Sequence, residues 1–140
     1  MRTISVRTLR RFCACGSQVE TFKMIFGSKP IEVTRKNCLK GSGLLDFGWA
    51  ARNLTRSNEA VRFYNDSVIK FKNAFDKSVE PYKKMYAKSI VSMTKGNYKV
   101  ARLGLNAYDD LIASAVKVRN DSIATAFYKA WKMDNKVGKK

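Results

Sequence analysis

The side chains that most often carry out chemistry in proteins are scarce in this sequence. It contains no histidine, which is the usual base of a nucleophilic triad and the commonest metal ligand. Its three cysteines, Cys13, Cys15 and Cys38, have no histidine to complete a zinc site, and their odd number does not suit a disulfide scaffold. We therefore expect free thiols, no metal and no other cofactor.

The acidic pair and the glycine-rich turns do not form a recognisable site either. Asp109 and Asp110 are neighbours on the polar face of a predicted helix, where adjacent side chains point about 100° apart and cannot work as an acid–base dyad. The turns at 27–29 and 41–43 lack the further glycines, the lysine and the strand-to-helix context of a phosphate-binding loop. The sequence thus predicts a protein that is not an enzyme and has no small-molecule substrate.

Basic residues are the chemically distinctive feature of the chain. Its 28 lysines and arginines against 11 acidic residues give a net charge of +17, which attracts nucleic acid, anionic lipid or acidic protein surfaces. The segment 81–108 contains no acidic residue. Its basic side chains are the predicted partner-binding or anionic-surface residues: Lys83, Lys84, Lys88, Lys95, Lys99 and Arg102. On a helix, Lys84, Lys88 and Lys95 project within about 40° of one another.

The first residues are typical of a mitochondrial presequence. No acidic residue precedes Glu20, whereas arginine is frequent, at Arg2, Arg7, Arg10 and Arg11. On a helix the arginines at 7, 10 and 11 fall opposite an apolar side formed by Val6, Leu9, Phe12 and Cys13. Residues 10–13 also resemble a matrix-processing site with the cut after Phe12. We predict a cleavable presequence at 1–12 and a mitochondrial location, in the matrix or on the matrix side of the inner membrane. A retained basic arm that binds nucleic acid is the alternative.

The elements that position the later basic residues are predicted to be helices. Apolar periodicity predicts a helix from 57 to 95, capped by Ser57 and either ended or kinked at Pro81, and a second helix from 97 to 133. A shorter helix is expected at 44–54, an irregular or extended arm at 13–43 and a basic tail at 134–140. The predicted fold is therefore all-α, with a helical domain at 44–133. It is a long antiparallel helical hairpin with a short packing helix and an irregular N-terminal segment.

These features together favour a structural role. A two-helix hairpin buries one face of each helix, so apolar surface remains for a partner. We expect a non-catalytic structural or accessory subunit of a mitochondrial inner-membrane complex, of the ATP synthase or respiratory type, whose partners are other protein subunits. The alternative is a mitochondrial ribosomal or other nucleic-acid-associated protein, because without residues 1–12 the chain keeps 24 basic and 11 acidic residues, a net charge of +13. Contacts with an anionic lipid surface or with RNA both fit this charge.

Overall fold

The fold is built almost entirely from helices. The computed structural model describes residues 2–137, in which the elements are β1 (Thr3–Ile4), α1 (Val6–Arg11), α2 (Gly16–Phe26), β2 (Ile31–Glu32), α3 (Arg35–Lys40), α4 (Phe47–Leu54), α5 (Asn58–Thr94) and α6 (Tyr98–Val137). The two short strands pair antiparallel, with Thr3 opposite Glu32 and Ile4 opposite Ile31.

The long helices α5 and α6 pack against each other, which confirms the predicted all-α antiparallel hairpin. The hydroxyl of Ser57 accepts a hydrogen bond from the backbone N–H of Ala60 at 3.0 Å, so Ser57 caps α5 as predicted. Between the helices, Gly96 has a φ of 82°, in the left-handed region that glycine adopts without steric cost. The chain therefore reverses its direction at the position where the sequence predicted a turn.

Pro81 lies inside α5 and does not end it. Proline has no N–H to donate to the carbonyl of Lys77 and its ring crowds that carbonyl, so the helix is locally weakened. Packing holds the two sides in one helix, since Val79 before the proline and Ser89 after it are both buried. Of the two alternatives left open by the sequence, the single helix is the one observed.

Contacts divide the chain into two compact units. One unit, here the core unit, comprises Met1–Ile69 together with Asn120–Lys140, and the other, the hairpin unit, comprises Lys70–Arg119. The expected helical domain at 44–133 therefore contributes to both units.

The core unit holds most of the buried side chains. Asp46 caps α4 by accepting a hydrogen bond from the N–H of Trp49 at 2.8 Å, and this orients the helix so that Phe47 points inward. Phe47 then lies 5.4 Å from Phe127 between ring centroids, and Phe127 lies 6.1 Å from Trp131. The buried apolar residues of this unit are Ile4, Val6, Leu9, Val19, Phe22, Cys38, Phe47, Ala51, Leu54, Ala60, Tyr64, Ala124, Ala126, Phe127, Ala130 and Trp131.

The arm expected at 13–43 is more regular than its sequence predicted. It contains α2, α3 and strand β2, with short connections between them. Val19 and Phe22 are buried along α2, and the rings of Phe22 and Phe26 lie 5.0 Å apart. Thr34 caps α3 through a hydrogen bond from the N–H of Asn37 at 3.1 Å. The prediction of an irregular arm was wrong because these short helices depend on tertiary burial rather than on long periodicity.

The N-terminal residues are part of the same core. Helix α1 forms as expected and buries Val6 and Leu9, but it ends at Arg11, and Phe12 and Cys13 are exposed. Ser5 caps the helix in a reciprocal arrangement with Thr8. A cut after Phe12 would thus remove a strand, a helix and three buried apolar side chains from the core unit.

The other end of the chain anchors this N-terminal segment. Asp134, expected at the start of a basic tail, instead lies in α6 with its side chain 1% exposed. It accepts a hydrogen bond from the Arg2 guanidinium at 2.6 Å and others from the N–H groups of Arg56 and Ser57 at 2.8 and 2.7 Å. Arg2 also donates to the Leu54 carbonyl. Of the expected tail, residues 134–137 continue α6, and residues 138–140 lie outside the described residues.

Candidate partner-binding surface

The hairpin unit has little core of its own. Its inner contacts include Tyr86 with Tyr108, 4.8 Å between ring centroids, and the Arg119 guanidinium 4.5 Å from the centre of the Phe75 ring. Near the turn, Ser89 lies so close to Gly104 that a methyl group there would collide with the serine hydroxyl. Among the described side chains of this unit, three are buried: Val79, Ser89 and Ala101. Two helices held by so few buried groups leave apolar surface in water.

Large apolar side chains are correspondingly exposed around the hairpin unit. Val91 is 51% exposed, Tyr98 68% and Leu103 65%. Met85, Ile90 and Met93 are also exposed, at 37–46%. Scattered apolar residues are ordinary on protein surfaces, but a concentration of them on one element marks an interaction site.

All six basic residues predicted to bind a partner lie in this unit and are exposed. The structure does not bring them into one patch. Lys84, Lys88 and Lys95 share one face at the C-terminal part of α5, whereas Lys83 projects about 100° away from Lys84. Lys99 and Arg102 lie on α6. The predicted set is therefore a cationic surface that surrounds the hairpin, with one organised row within it.

That row is longer than the sequence interpretation recognised. Because α5 continues through Pro81, Lys70 and Lys77 stay in phase with Lys84, Lys88 and Lys95. All five side chains are exposed and project within about 40° of one another. The signal was present as the seven-residue spacing of the lysines, but it could be used only once the proline was known not to break the helix. We call these five residues the lysine row.

The thiols and the acidic pair behave as isolated groups. All three cysteines are free, with Cys13 and Cys15 exposed and Cys38 buried. A hydrogen bond with the Ser17 hydroxyl lowers the pKa of Cys15, whereas burial raises the pKa of Cys38 to about 12. Asp109 and Asp110 are both exposed on α6.

Tyr64 and a small cavity belong to the core unit. Burial raises the pKa of Tyr64 to about 12, and the negative charge of Asp46 adds to this effect. A small cavity of about 70 Å³ also lies in the core unit, and its mainly apolar lining includes Leu9, Phe22, Cys38 and Phe127. Within residues 2–137 no group of three potential metal-ligating side chains comes together.

Comparison with known proteins adds no further information on the site. The chain matches no protein-family model, and no similar curated protein or solved structure was found. None of the helices in the described part of the chain has a stretch long and apolar enough to cross a membrane.

Proposed function

We propose that this protein is a non-catalytic structural subunit of a multiprotein complex and that the hairpin unit is its partner-binding element. The observation that carries the proposal is the contrast between the two units. The core unit buries sixteen apolar residues, whereas two apolar residues, Val79 and Ala101, are buried among those described in the hairpin unit. An antiparallel helix pair with exposed apolar and cationic side chains is completed by packing against another chain.

For the setting of this complex, we propose the matrix side of the mitochondrial inner membrane. The proposal is supported by the basic N-terminal segment, in which Arg7, Arg10 and Arg11 are exposed on α1 while Val6 and Leu9 face inward. Such an amphipathic basic helix suits a receptor that binds its apolar face before folding, and import follows an electrical potential that favours positive charge.

We infer that this segment is retained after import. The guanidinium of Arg2 is bound to a carboxylate that is almost completely buried, so loss of residues 1–12 would leave Asp134 without its cationic partner. In this proposal residues 1–12 first direct the chain to the mitochondrion and then become part of the core unit.

The experiment is purification of a tagged full-length copy from mitochondria under mild detergent, followed by native electrophoresis and mass spectrometry. We expect the tag to comigrate with an inner-membrane assembly of the ATP synthase or respiratory type and the intact N-terminus to be detected. A soluble monomer in the matrix would refute the structural role, and a mature N-terminus at Cys13 would refute retention alone.

A second candidate is a mitochondrial ribosomal or other nucleic-acid-associated protein. The observation that favours it is the exposure of all six basic side chains in a segment without an acidic residue. Phosphate contacts of this kind weaken steeply with salt. Cosedimentation with ribosomal subunits or mitochondrial DNA that disappears with added salt or nuclease would favour this candidate over the first one.

A further inference from the structure

The closed end of the hairpin unit combines exposed apolar side chains with basic ones. We call residues 90–103, which lie on both sides of the turn between α5 and α6, the hairpin tip. With a rise of about 1.5 Å per residue, they lie within about 11 Å of Gly96 along the helix axes. Among the described side chains of the tip, the large exposed apolar ones are Ile90, Val91, Met93, Tyr98 and Leu103, and the exposed cations are Lys95, Lys99 and Arg102. Apolar and cationic groups are thus interleaved at one end of the hairpin.

The cations of the tip have no carboxylate nearby on either helix. The acidic residues nearest to the turn in the sequence are Glu80 on α5 and Asp109 on α6. Asp109 is seven residues beyond Arg102, about 10.5 Å along α6, and Glu80 is further from the turn. Exposed charges separated by more than the Debye length, about 8 Å at physiological ionic strength, are largely screened from each other. The positive charge of the tip is therefore left for an external anion.

The exposed apolar side chains of the tip do not share one face. Successive residues of a helix point about 100° apart, so Ile90 and Val91 diverge by that angle, and Tyr98 and Leu103 diverge by about 140°. A folded protein partner or a nucleic acid duplex covers one side of a helix pair. A lipid bilayer, in contrast, closes around an inserted element on all sides, which suits apolar groups that point in several directions.

We propose that the hairpin tip docks end-on in the headgroup region of a bilayer that contains anionic phospholipid. The inference rests on the proposed location at the matrix side of the inner membrane. Interfacial protein segments bury their apolar side chains about 5–10 Å into the boundary between headgroups and acyl chains, a depth close to the length of the tip. At that level Tyr98 occupies the position that aromatic side chains favour, and lysine and arginine extend their charged ends to the lipid phosphates.

Other occupants match the tip less well. Nucleic acid supplies phosphates for the cations but leaves side chains such as Val91 and Met93 in water. A second copy of this chain would bring two cationic tips together, and like charges at an interface disfavour association. An anionic bilayer satisfies the charges and the apolar side chains at the same depth.

The test measures sedimentation of the full-length protein with lipid vesicles. One preparation is phosphatidylcholine with about one fifth cardiolipin, and the other is phosphatidylcholine alone. We expect the anionic vesicles to bind the protein at least about tenfold more tightly than the neutral ones, with an affinity that falls as salt is added. Equal affinity for the two preparations would overturn the proposal.

Two charge variants with equal numbers of changes decide whether the tip is responsible. The tip variant changes Lys95, Lys99 and Arg102 to Gln, and the control variant changes Lys70, Lys77 and Lys83 to Gln. All six side chains are exposed, and circular dichroism verifies that both variants keep their helices. Each cation at an anionic surface contributes about fivefold in affinity, so the tip variant should bind the anionic vesicles roughly a hundredfold more weakly. The control cations lie about 20 Å or more from Gly96 along α5, and their loss should cost less than about fivefold.

A second pair of variants examines the apolar side chains without changing the charge. Val91→Gln combined with Tyr98→Gln should lower the affinity for the anionic vesicles at least about tenfold, because less apolar surface leaves water on docking. The control combines Met24→Gln with Ile69→Gln, which are 87% and 59% exposed in the unchanged protein and lie outside the tip. Its affinity should stay within about twofold of the unchanged protein.

Three results would overturn the proposal. Equal weakening by the two charge variants would mean that binding depends on net charge alone. An apolar variant that binds as tightly as its control would mean that the tip does not enter the bilayer. Tighter binding to an RNA duplex than to the anionic vesicles, with the same dependence on Lys95, Lys99 and Arg102, would assign the tip to nucleic acid. If the tagged protein comigrates with an inner-membrane complex but does not bind the vesicles, the structural role stands and the docking proposal fails. If the tip binds the vesicles but the tagged protein is recovered alone, the docking proposal stands and the structural role fails.

Discussion

Replacing Arg2 with alanine tests whether the N-terminal segment is locked into the core. In the folded protein its guanidinium lies 2.6 Å from Asp134, donates to the Leu54 carbonyl and sits 4.5 Å over the Trp131 ring. The Arg2 side chain is 30% exposed and that of Asp134 only 1%. The change therefore removes the cation from a carboxylate that water hardly reaches.

The expected loss follows from these contacts. Removing one partner of a buried ion pair costs about 3–5 kcal/mol. Here the arginine is partly exposed, and Asp134 keeps two backbone N–H donors, those of Arg56 and Ser57. Both facts move the expected loss to the lower end, about 3 kcal/mol. For a chain of this size that corresponds to a fall in Tm of about 10 °C.

Urea and thermal unfolding of the full-length protein, followed by circular dichroism, measure the effect. Arg7→Ala is the control because Arg7 is an exposed arginine on the same segment, and its loss should stay within about 0.5 kcal/mol. A double-mutant cycle with Asp134→Asn should give a coupling energy above about 1 kcal/mol. If Arg2→Ala were as stable as Arg7→Ala, the view of residues 2–12 as a structural part of the core would be refuted.

Four further predictions concern the N-terminal segment, the thiols and the proline. A protein lacking residues 1–12 should lose cooperative unfolding of the core unit, since Ile4, Val6 and Leu9 leave the core with Arg2; a melting curve like that of the full chain would contradict this. At pH 8 a thiol reagent should modify Cys15, whose pKa is lowered, and should reach Cys38 only after denaturant is added; equal rates in the native state would contradict the burial of Cys38. The raised pKa of Cys38 also makes the free energy of unfolding depend on pH. The contribution of the neutral Cys38 thiol is fully present below about pH 9 and declines as the pH rises toward about 12, because in this range the folded state keeps a proton that the unfolded state releases. Cys38→Ala should make the unfolding free energy fall less steeply with pH just above 9 than it does in the unchanged protein. Pro81→Ala should stabilise the hairpin unit by roughly 1–3 kcal/mol by restoring the hydrogen bond to Lys77, measured as slower amide exchange near residues 77–85, whereas Lys83→Ala should leave exchange there unchanged.

The hairpin could be predicted because its signals are local. Apolar residues recur at helical spacing, Ser57 offers a cap, and Gly96 stops the first helix. The arm at 13–43 could not be predicted in the same way. Its strand β2 pairs with β1 from a distant part of the sequence, and α3 is only six residues long. Elements of this length take their stability from contacts that a single sequence does not display.

The burial of the N-terminal helix could not be predicted from its composition. An import helix and a buried structural helix both need one apolar face and one polar face, so Val6 and Leu9 satisfy either description. The contact between Arg2 and Asp134 that ties this segment to the core joins residues 132 positions apart, so no local pattern displays it. The lysine row was partly hidden for a different reason, since Pro81 made the phase between Lys77 and Lys84 undecidable from the sequence.

The link between Arg2 and Asp134 also bears on the order of folding. A contact between residues 132 positions apart raises the contact order of the core unit, and a high contact order slows folding. During synthesis the core unit therefore cannot be completed until the last turns of α6 have left the ribosome.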